Sequence, residues 1–315
     1  MPQMKIPIKQ ENFHMTNKKI RVAILGTGNI GADLCARLLV DSDFEVVALA
    51  GRRVDSPGLL AFRGKVKNVL ASGIDGLVSL TDQFDGVFDA TSALDHQKHW
   101  EILSKKGKWM IDLTPSKIGK PIVPELIGSL DSMRLLADFV QNYSMITCGG
   151  QSSAPLLFAM ASGAKGITEV EVSSSIASLS AGPATRRNID QYIESTENLI
   201  GLITGCSNVK AILVLNPLEP PVMMRTTVQM KAARYDLPTM INEAVAIEAR
   251  IQRYVPGYKI VIEPHVSNLE IISATVKVTG AGYILPEYSG NLDIINAAAV
   301  ETARLHAKSI RLGAE

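Results

Sequence analysis

The chain predicts an α/β fold, with a doubly wound parallel sheet in its first half and an α+β unit in its second. Three observations lead there. Short β-branched runs alternate with helical patterns up to about residue 147, one of these runs ends in a glycine turn that opens a helix, and beyond Cys148 the strand candidates lengthen. With 315 residues and a hydrophobic fraction of 46%, two packed cores are expected.

The first strand candidate is Ile20-Arg21-Val22-Ala23-Ile24-Leu25, followed by Gly26-Thr27-Gly28-Asn29-Ile30-Gly31 and a helical pattern over 32–40. Strand, glycine turn and helix in that order give the GxGxxG spacing its meaning as a dinucleotide site. Gly26 permits the tight turn, Gly28 lets a pyrophosphate approach the backbone, and Gly31 lets helix pack on strand. Thr27, Asn29 and Ile30 complete the turn, and the helix N-terminus faces the phosphates.

Further β-like runs fall at 44–51, 86–91, 108–113 and 144–147, with a helical segment at 96–105. At the end of the second run, where an NAD site usually offers an acid to the ribose, the sequence reads Ala50-Gly51-Arg52-Arg53. Guanidinium groups there suit a 2′-phosphate, so Arg52 and Arg53 point to NADP over NAD. The alternative leaves both arginines solvated in a loop, with Asp55 reaching the ribose.

Past Cys148, strands are expected at 167–180, 209–216, 223–232, 259–265 and 270–279, and helices near 186–204 and 239–254. A last helix, from Asn291 to about Arg311, is expected to return to the first domain. The resulting organisation is a loose extension over 1–18, a dinucleotide-binding domain over 19–147 and 286–315, and a second domain over 148–285.

Composition excludes several function classes. Lys and Arg number 32 against 31 Asp and Glu, a net charge of +1, without the basic excess that nucleic acid binding needs. The three cysteines, Cys35, Cys148 and Cys206, are too widely spaced for a CxxC zinc or redox pair and fit a reducing compartment. The first 19 residues have no apolar signal core and no stretch is long and apolar enough to span a membrane, so a cytoplasmic protein is expected.

Cys148 follows an apolar run and precedes Gly149-Gly150 and the N-terminus of a helical pattern, where backbone N–H groups and a helix dipole favour a thiolate. A buried, inert thiol is the other reading. Several segments bear on this choice: Val87-Phe88-Asp89-Ala90-Thr91-Ser92-Ala93, Ile111-Asp112-Leu113-Thr114-Pro115, Met145-Ile146-Thr147-Cys148-Gly149-Gly150-Gln151, Ser180-Ala181-Gly182-Pro183-Ala184-Thr185-Arg186, Leu215-Asn216-Pro217-Leu218-Glu219-Pro220-Pro221 and Leu285-Pro286-Glu287-Tyr288-Ser289-Gly290-Asn291-Leu292-Asp293-Ile294. Together they resemble the acylating acetaldehyde dehydrogenases, in order, from about Ile20 onward.

The resemblance implies a Rossmann domain joined to an α+β catalytic and dimerisation domain, as in the glyceraldehyde-phosphate dehydrogenase-like enzymes. It further implies an NAD(P)-dependent oxidoreductase that interconverts a short aldehyde and its acyl-CoA, with coenzyme A as co-substrate. A homodimer and a 4-hydroxy-2-oxoacid aldolase partner are implied as well. Carried over by position, Cys148 is the nucleophile that forms a thiohemiacetal and then a thioester, and Asn291 lies against the nicotinamide. Thr91, Ser92 and Gly182 match segments that contact the cofactor. Asn291 also suits an N-cap of the last helix.

One position departs from the family. Its Met-Arg-Asp segment, whose aspartate is held to orient or activate the nucleophile, reads Met224-Arg225-Thr226 here, and a hydroxyl is no base near neutral pH. His265, in the strand-like run 260–265, is the candidate replacement, against the alternative of an ordinary histidine at a strand end. His96 and His99 share a face of what reads as a half-exposed helix, and without a third ligand make a poor metal site. Two other functional readings stand beside the first: a phosphate-dependent semialdehyde or acyl-phosphate reductase, with Arg186 or Arg225 as its anion site, and a non-catalytic NADP-binding regulatory subunit.

Overall fold

The computed structural model describes residues 19–127, 141–267 and 269–313. The expected extension over 1–18 lies outside these residues.

The first sheet has seven strands: β1 (Ile20–Leu25), β2 (Phe44–Ala50), β3 (Asn68–Leu70), β4 (Gly86–Asp89), β5 (Trp109–Asp112), β6 (Lys120–Ile122) and β7 (Asn142–Met145). They run in the order β3-β2-β1-β4-β5-β7-β6, and every neighbouring pair is parallel. Strands buried on both faces need apolar residues throughout, which is why β1, β2, β4 and β5 read as continuous runs and not as alternations. The chain leaves β1 to one side and β4 to the other, so the carboxyl ends of these two strands flank the crevice where such sheets bind ligands.

Connecting α1 (Asn29–Val40), α2 (Pro57–Leu60), α3 (Gly73–Val78) and α4 (Ala93–Ser104) belong to this half. The second half opens with α5 (Cys148–Ser162) and contains β8 (Ala164–Ala177), α6 (Pro183–Arg187), α7 (Ile189–Thr204), β9 (Val209–Asn216), β10 (Met224–Tyr235), α8 (Leu237–Ile251), β11 (Tyr258–Val266) and β12 (Ile272–Val278). Its mixed five-stranded sheet runs β11-β12-β10-β8-β9. Along β10, buried Met224, Thr226, Val228 and Met230 alternate with more exposed Arg225, Thr227 and Gln229, so the even-numbered side chains face the helices.

The last helix, α9 (Gly290–Gly313), packs on elements of the first half. Arg37 of α1 pairs with Asp293, while Asn296 Nδ2 donates to Asp33 Oδ2 at 2.9 Å. Arg304 reaches Asp41 at 2.7 Å and Asp43 at 2.8 Å, and Tyr143 of β7 meets His306 Nδ1 at 2.9 Å. Asp33 also accepts from the N–H groups of Ile284 and Leu285, both at 3.1 Å, fastening the segment before α9 over the start of α1.

Strand β7 ends two residues earlier than the apolar run suggested, because Thr147 leaves the sheet to cap α5. The short strands β3 and β6 carry no period-2 signal and were not expected.

Candidate active site

The glycine turn joins β1 to α1. Gly26 has φ +103°, and a Cβ there would meet the Ala90 carbonyl oxygen at 2.4 Å, while one on Gly31 would meet the Gly26 carbonyl oxygen at 2.1 Å. Gly28 has no such neighbour within 4 Å, and as N-cap of α1 it supplies no side-chain acceptor. The N–H groups of the first helical turn, including Asn29 and Ile30, are therefore left for an outside acceptor, which suits a pyrophosphate. Thr27 Oγ1 sits 2.9 Å from Ser56 Oγ, closing the turn against the loop after β2.

Around this turn lie the other expected cofactor residues. Thr91 follows β4 directly beside Gly26, and its N–H donates to Asp89 Oδ1 at 3.0 Å. Ser92 caps α4, donating to Asp95 Oδ2 at 2.7 Å. Arg52 spans the crevice from the end of β2 to Asp95 at 3.6 Å, and Arg53 forks onto Asp55 at 3.1 and 2.8 Å. Asp55, the alternative ribose ligand, is thereby held by a guanidinium. Gly182, by contrast, is an exposed residue at the start of α6 with nothing packed against it, and it does not line the cavity described next.

Cys148 occupies the first position of α5, whose N-cap Thr147 accepts from the Gly150 N–H at 2.9 Å. Thr147 Oγ1 also meets Thr196 Oγ1 at 2.7 Å, tying this helix start to α7. The thiol is half-buried and borders a cavity of about 470 Å³ between the two halves, walled by apolar groups such as Leu113, Met145 and Leu199. Burial pushes the Cys148 thiol up to about 11, against the opposing pull of a hydrogen bond with Tyr192, whose hydroxyl lies 3.9 Å from Sγ.

Asn291 lines the same cavity from the second position of α9. It is buried, and its Oδ1 has no hydrogen-bond partner among the described residues. An unpaired buried amide oxygen costs about 1–3 kcal/mol, which a ligand N–H would recover. A nicotinamide carboxamide offers such a donor, so Asn291 and the glycine turn together fit a nicotinamide dinucleotide.

Two expectations are corrected. His265 is exposed on the edge strand β11, where its Nδ1 lies 3.0 Å from the Glu263 carbonyl oxygen, and it does not line the Cys148 cavity. A strand-end position in the sequence carried no information about which end of the sheet faces α5. His96 and His99 are buried, not half-exposed, and both turn Nδ1 toward Asp89 Oδ2, at 2.9 and 2.8 Å. Burial alone would raise the Asp89 carboxyl, but hydrogen bonds from His96, His99 and Thr91 hold it well below the usual carboxylate range.

The anion site expected of a phosphate-dependent enzyme is not at Cys148. Arg186 is spent on the carbonyl oxygens of Ala181 and Ser178, at 3.0 and 2.9 Å, and Arg225 faces a separate pocket with Lys277. Among the described lining residues the one cation is Lys117, 2.7 Å from Glu194.

Sequence reasoning missed a group of hydroxyls under Cys148. Thr226 is fully buried, with its Oγ1 2.8 Å from Ser152 Oγ and 3.0 Å from Ser174 Oγ, and Ser174 in turn hydrogen-bonds Tyr192. A polar residue on the inward alternation of β10, between Met224 and Val228, was the available signal.

The chain is 44% identical over 297 residues to an acetaldehyde dehydrogenase of Spirochaeta aurantia, covering 94% of this chain and 98% of that protein. The chain belongs to the acetaldehyde dehydrogenase family. An acetaldehyde dehydrogenase of Pectobacterium atrosepticum is 40% identical over the same shares of the two chains. A family model described as prokaryotic acetaldehyde dehydrogenase, dimerisation, matches residues 148–286. Among solved structures, the aspartate semialdehyde dehydrogenase II of Vibrio cholerae superposes with a TM-score of 0.60 at 14% identity, over 91% of this chain and 99% of that one. That likeness establishes a shared fold, a Rossmann-type parallel sheet joined to a mixed-sheet domain. As an acetaldehyde dehydrogenase family member the protein is an oxidoreductase acting on aldehydes. Among the described residues no helix is long and apolar enough to cross a membrane.

Proposed function

We propose that the protein interconverts a short aldehyde and its acyl-CoA, using Cys148 as the nucleophile and NADP in preference to NAD. The observation that supports this reading is that Cys148, at the start of α5, borders a cavity that Asn291 also lines and that has no arginine among its described lining residues.

The Cys148 thiolate adds its electron pair to the aldehyde carbonyl carbon, forming a C–S bond while the carbonyl pair moves to oxygen. When bound, the nicotinamide supplies the acceptor for the hydride that leaves the resulting thiohemiacetal. The product is a thioester on Cys148. The apolar walls around Leu113, Met145 and Leu199 keep water from hydrolysing it. The CoA thiol, giving its proton to water, then attacks the thioester carbonyl as thiolate, and Cys148 leaves as thiolate. Reduction of an acyl-CoA reverses these steps with the same groups. Asn291 positions the cofactor carboxamide through Oδ1, and the turn of Gly26, Gly28 and Gly31 seats its pyrophosphate.

Arg52 and Arg53, at the end of β2, support the choice of NADP, since each is exposed and held only by a surface carboxylate that a 2′-phosphate displaces. The assignment of residues 148–286 to a dimerisation family supports a homodimer. An aldolase partner supplying the aldehyde, and a cytoplasmic location, belong to the same proposal through the family resemblance.

The test is an assay of the purified protein with a short aldehyde, NADP and either CoA or inorganic phosphate, following reduced nicotinamide and the acyl product by mass. Acyl-CoA formation that requires CoA supports the reading. Formation of acyl phosphate, with no turnover on CoA, overturns it in favour of the phosphate-dependent reductase.

A further inference from the structure

We propose that Tyr192 donates a hydrogen bond to the Cys148 thiolate and that Ser174, Thr226 and Ser152 form a chain of hydroxyls that sets it to do so. This inference rests on the reading of Cys148 as the nucleophile. It names the groups that occupy the place of the aspartate in the resembled family's Met-Arg-Asp segment.

The geometry supplies each link. Tyr192, on the first turn of α7, lies with its hydroxyl 3.9 Å from Cys148 Sγ, within reach of a long, weak hydrogen bond to the large sulfur atom. That hydroxyl is lodged against the first turn of α5: a Cβ on Gly149 would meet it at 2.0 Å and Ser174 Oγ at 2.8 Å. The glycine after the nucleophile therefore makes room for both hydroxyls. Ser174 hydrogen-bonds Tyr192 and stands 3.0 Å from Thr226 Oγ1, which stands 2.8 Å from Ser152 Oγ. Ser152 Oγ ends the chain 3.0 Å from the Gly149 carbonyl oxygen.

A carbonyl oxygen only accepts, and this fixes the direction of the chain while Cys148 is a thiol. Ser152 then donates to Gly149, Thr226 to Ser152, Ser174 to Thr226, Tyr192 to Ser174, and the thiol to Tyr192. When the thiol proton leaves to water, every hydroxyl can turn. Tyr192 donates to the thiolate, Ser174 to Tyr192, Thr226 to Ser174 and Ser152 to Thr226. The Gly149 carbonyl oxygen is not abandoned, because Ser153 Oγ donates to it at 2.7 Å. No bond to carbon and no net charge moves along the chain. The turn converts four neutral dipoles into a shell oriented toward the negative sulfur, each strengthening the next.

The backbone N–H groups of Cys148 and Gly149 also favour charge on this sulfur, and Tyr192→Phe leaves them in place. The titratable residues lining its cavity, among those described, are Tyr192 itself and the pair Lys117 and Glu194, whose charges meet each other at 2.7 Å. Tyr258 donates to the Ser152 backbone oxygen at 2.9 Å and so holds α5 without entering the chain. Cys148 touches the reacting carbon, Tyr192 touches Cys148, and Ser174, Thr226 and Ser152 act as positioning residues through Tyr192.

The experiment measures the rate of iodoacetamide alkylation of Cys148 between pH 6.5 and 10, with Cys148→Ala as the background from Cys35 and Cys206. The variants are Tyr192→Phe, Thr226→Val, Thr226→Ser and the double Tyr192→Phe/Thr226→Val, each checked for an unchanged melting curve. Tyr192→Phe is expected to move the profile up by about one pH unit, slowing alkylation about tenfold at pH 7.5. Thr226→Val should shift it the same way by less, Thr226→Ser should restore it, and the double variant should match Tyr192→Phe alone. An unshifted profile in folded Tyr192→Phe overturns the proposal, as does an additive double variant. Alkylation needs neither cofactor nor acyl donor, so a shifted profile in a protein that never loads acyl-CoA sinks the acylation reading and leaves the hydroxyl chain standing.

Discussion

Replacing Arg52 and Arg53 together by alanine tests the cofactor preference. The two side chains are 80% and 76% exposed, so each acts in a highly screened setting. A charge-assisted hydrogen bond to a phosphate is worth about 1.5–3 kcal/mol. Exposure, and the cost of releasing Asp95 and Asp55, cut the effect of each arginine to about fivefold in KM. Two such losses together raise KM for NADP by about 30-fold. NAD lacks the 2′-phosphate, so its KM is expected to change less than about threefold. Initial-rate kinetics with both cofactors at low and moderate salt measure the ratio, which should fall with added salt in the wild type and not in the variant. Equal loss for NADP and NAD would refute the reasoning, because the arginines would then be serving the loop and not the phosphate.

Two further predictions follow from buried groups. Asn291→Ala removes an acceptor that is unpaired in the free protein, so cofactor KM is expected to rise about tenfold while stability to urea changes by under about 1 kcal/mol. A large loss of stability would mark Asn291 as a structural cap instead. Burial pushes the His306 imidazole down from 6.5 to about 4, so the unfolded chain binds a proton that the folded one refuses. Stability is therefore lost as pH falls from about 6.5 through about 4, by an order of 3 kcal/mol, and urea melts of His306→Gln should lose this slope. Asp89, held well below its ordinary range, contributes only at still lower pH, whereas burial raises the Asp112 and Asp293 carboxyls, whose opposite slope is common to wild type and variant and cancels in the His306→Gln comparison.

What the sequence made legible follows from how far each signal reaches. The glycine turn, the continuous strands and the last helix are local patterns, whereas where that helix packs is decided by distant partners such as Arg37 and Asp33. The three-residue strands β3 and β6 are too short for any period to register, and β6 carries Pro121, which only a sheet edge tolerates. His96 and His99 were misjudged because the exposed Gln97 and Lys98 between them said nothing of Asp89, which reaches the same helix face from β4. His265 was placed near Cys148 by its residue type and its strand-like run, whereas that strand lies at the edge of the second sheet, beyond β12. The hydroxyls around Thr226 come from α5, β8, β10 and α7, four separate segments that only the fold brings together.

The central claim is that Cys148 carries an acyl group in turnover. Intact mass of the purified protein after incubation with a panel of short acyl-CoAs, without reductant and beside Cys148→Ala, tests it most directly. The account predicts a gain of one acyl group on the wild type and none on the variant. No gain from any acyl-CoA in the panel, or an equal gain on Cys148→Ala, would contradict it.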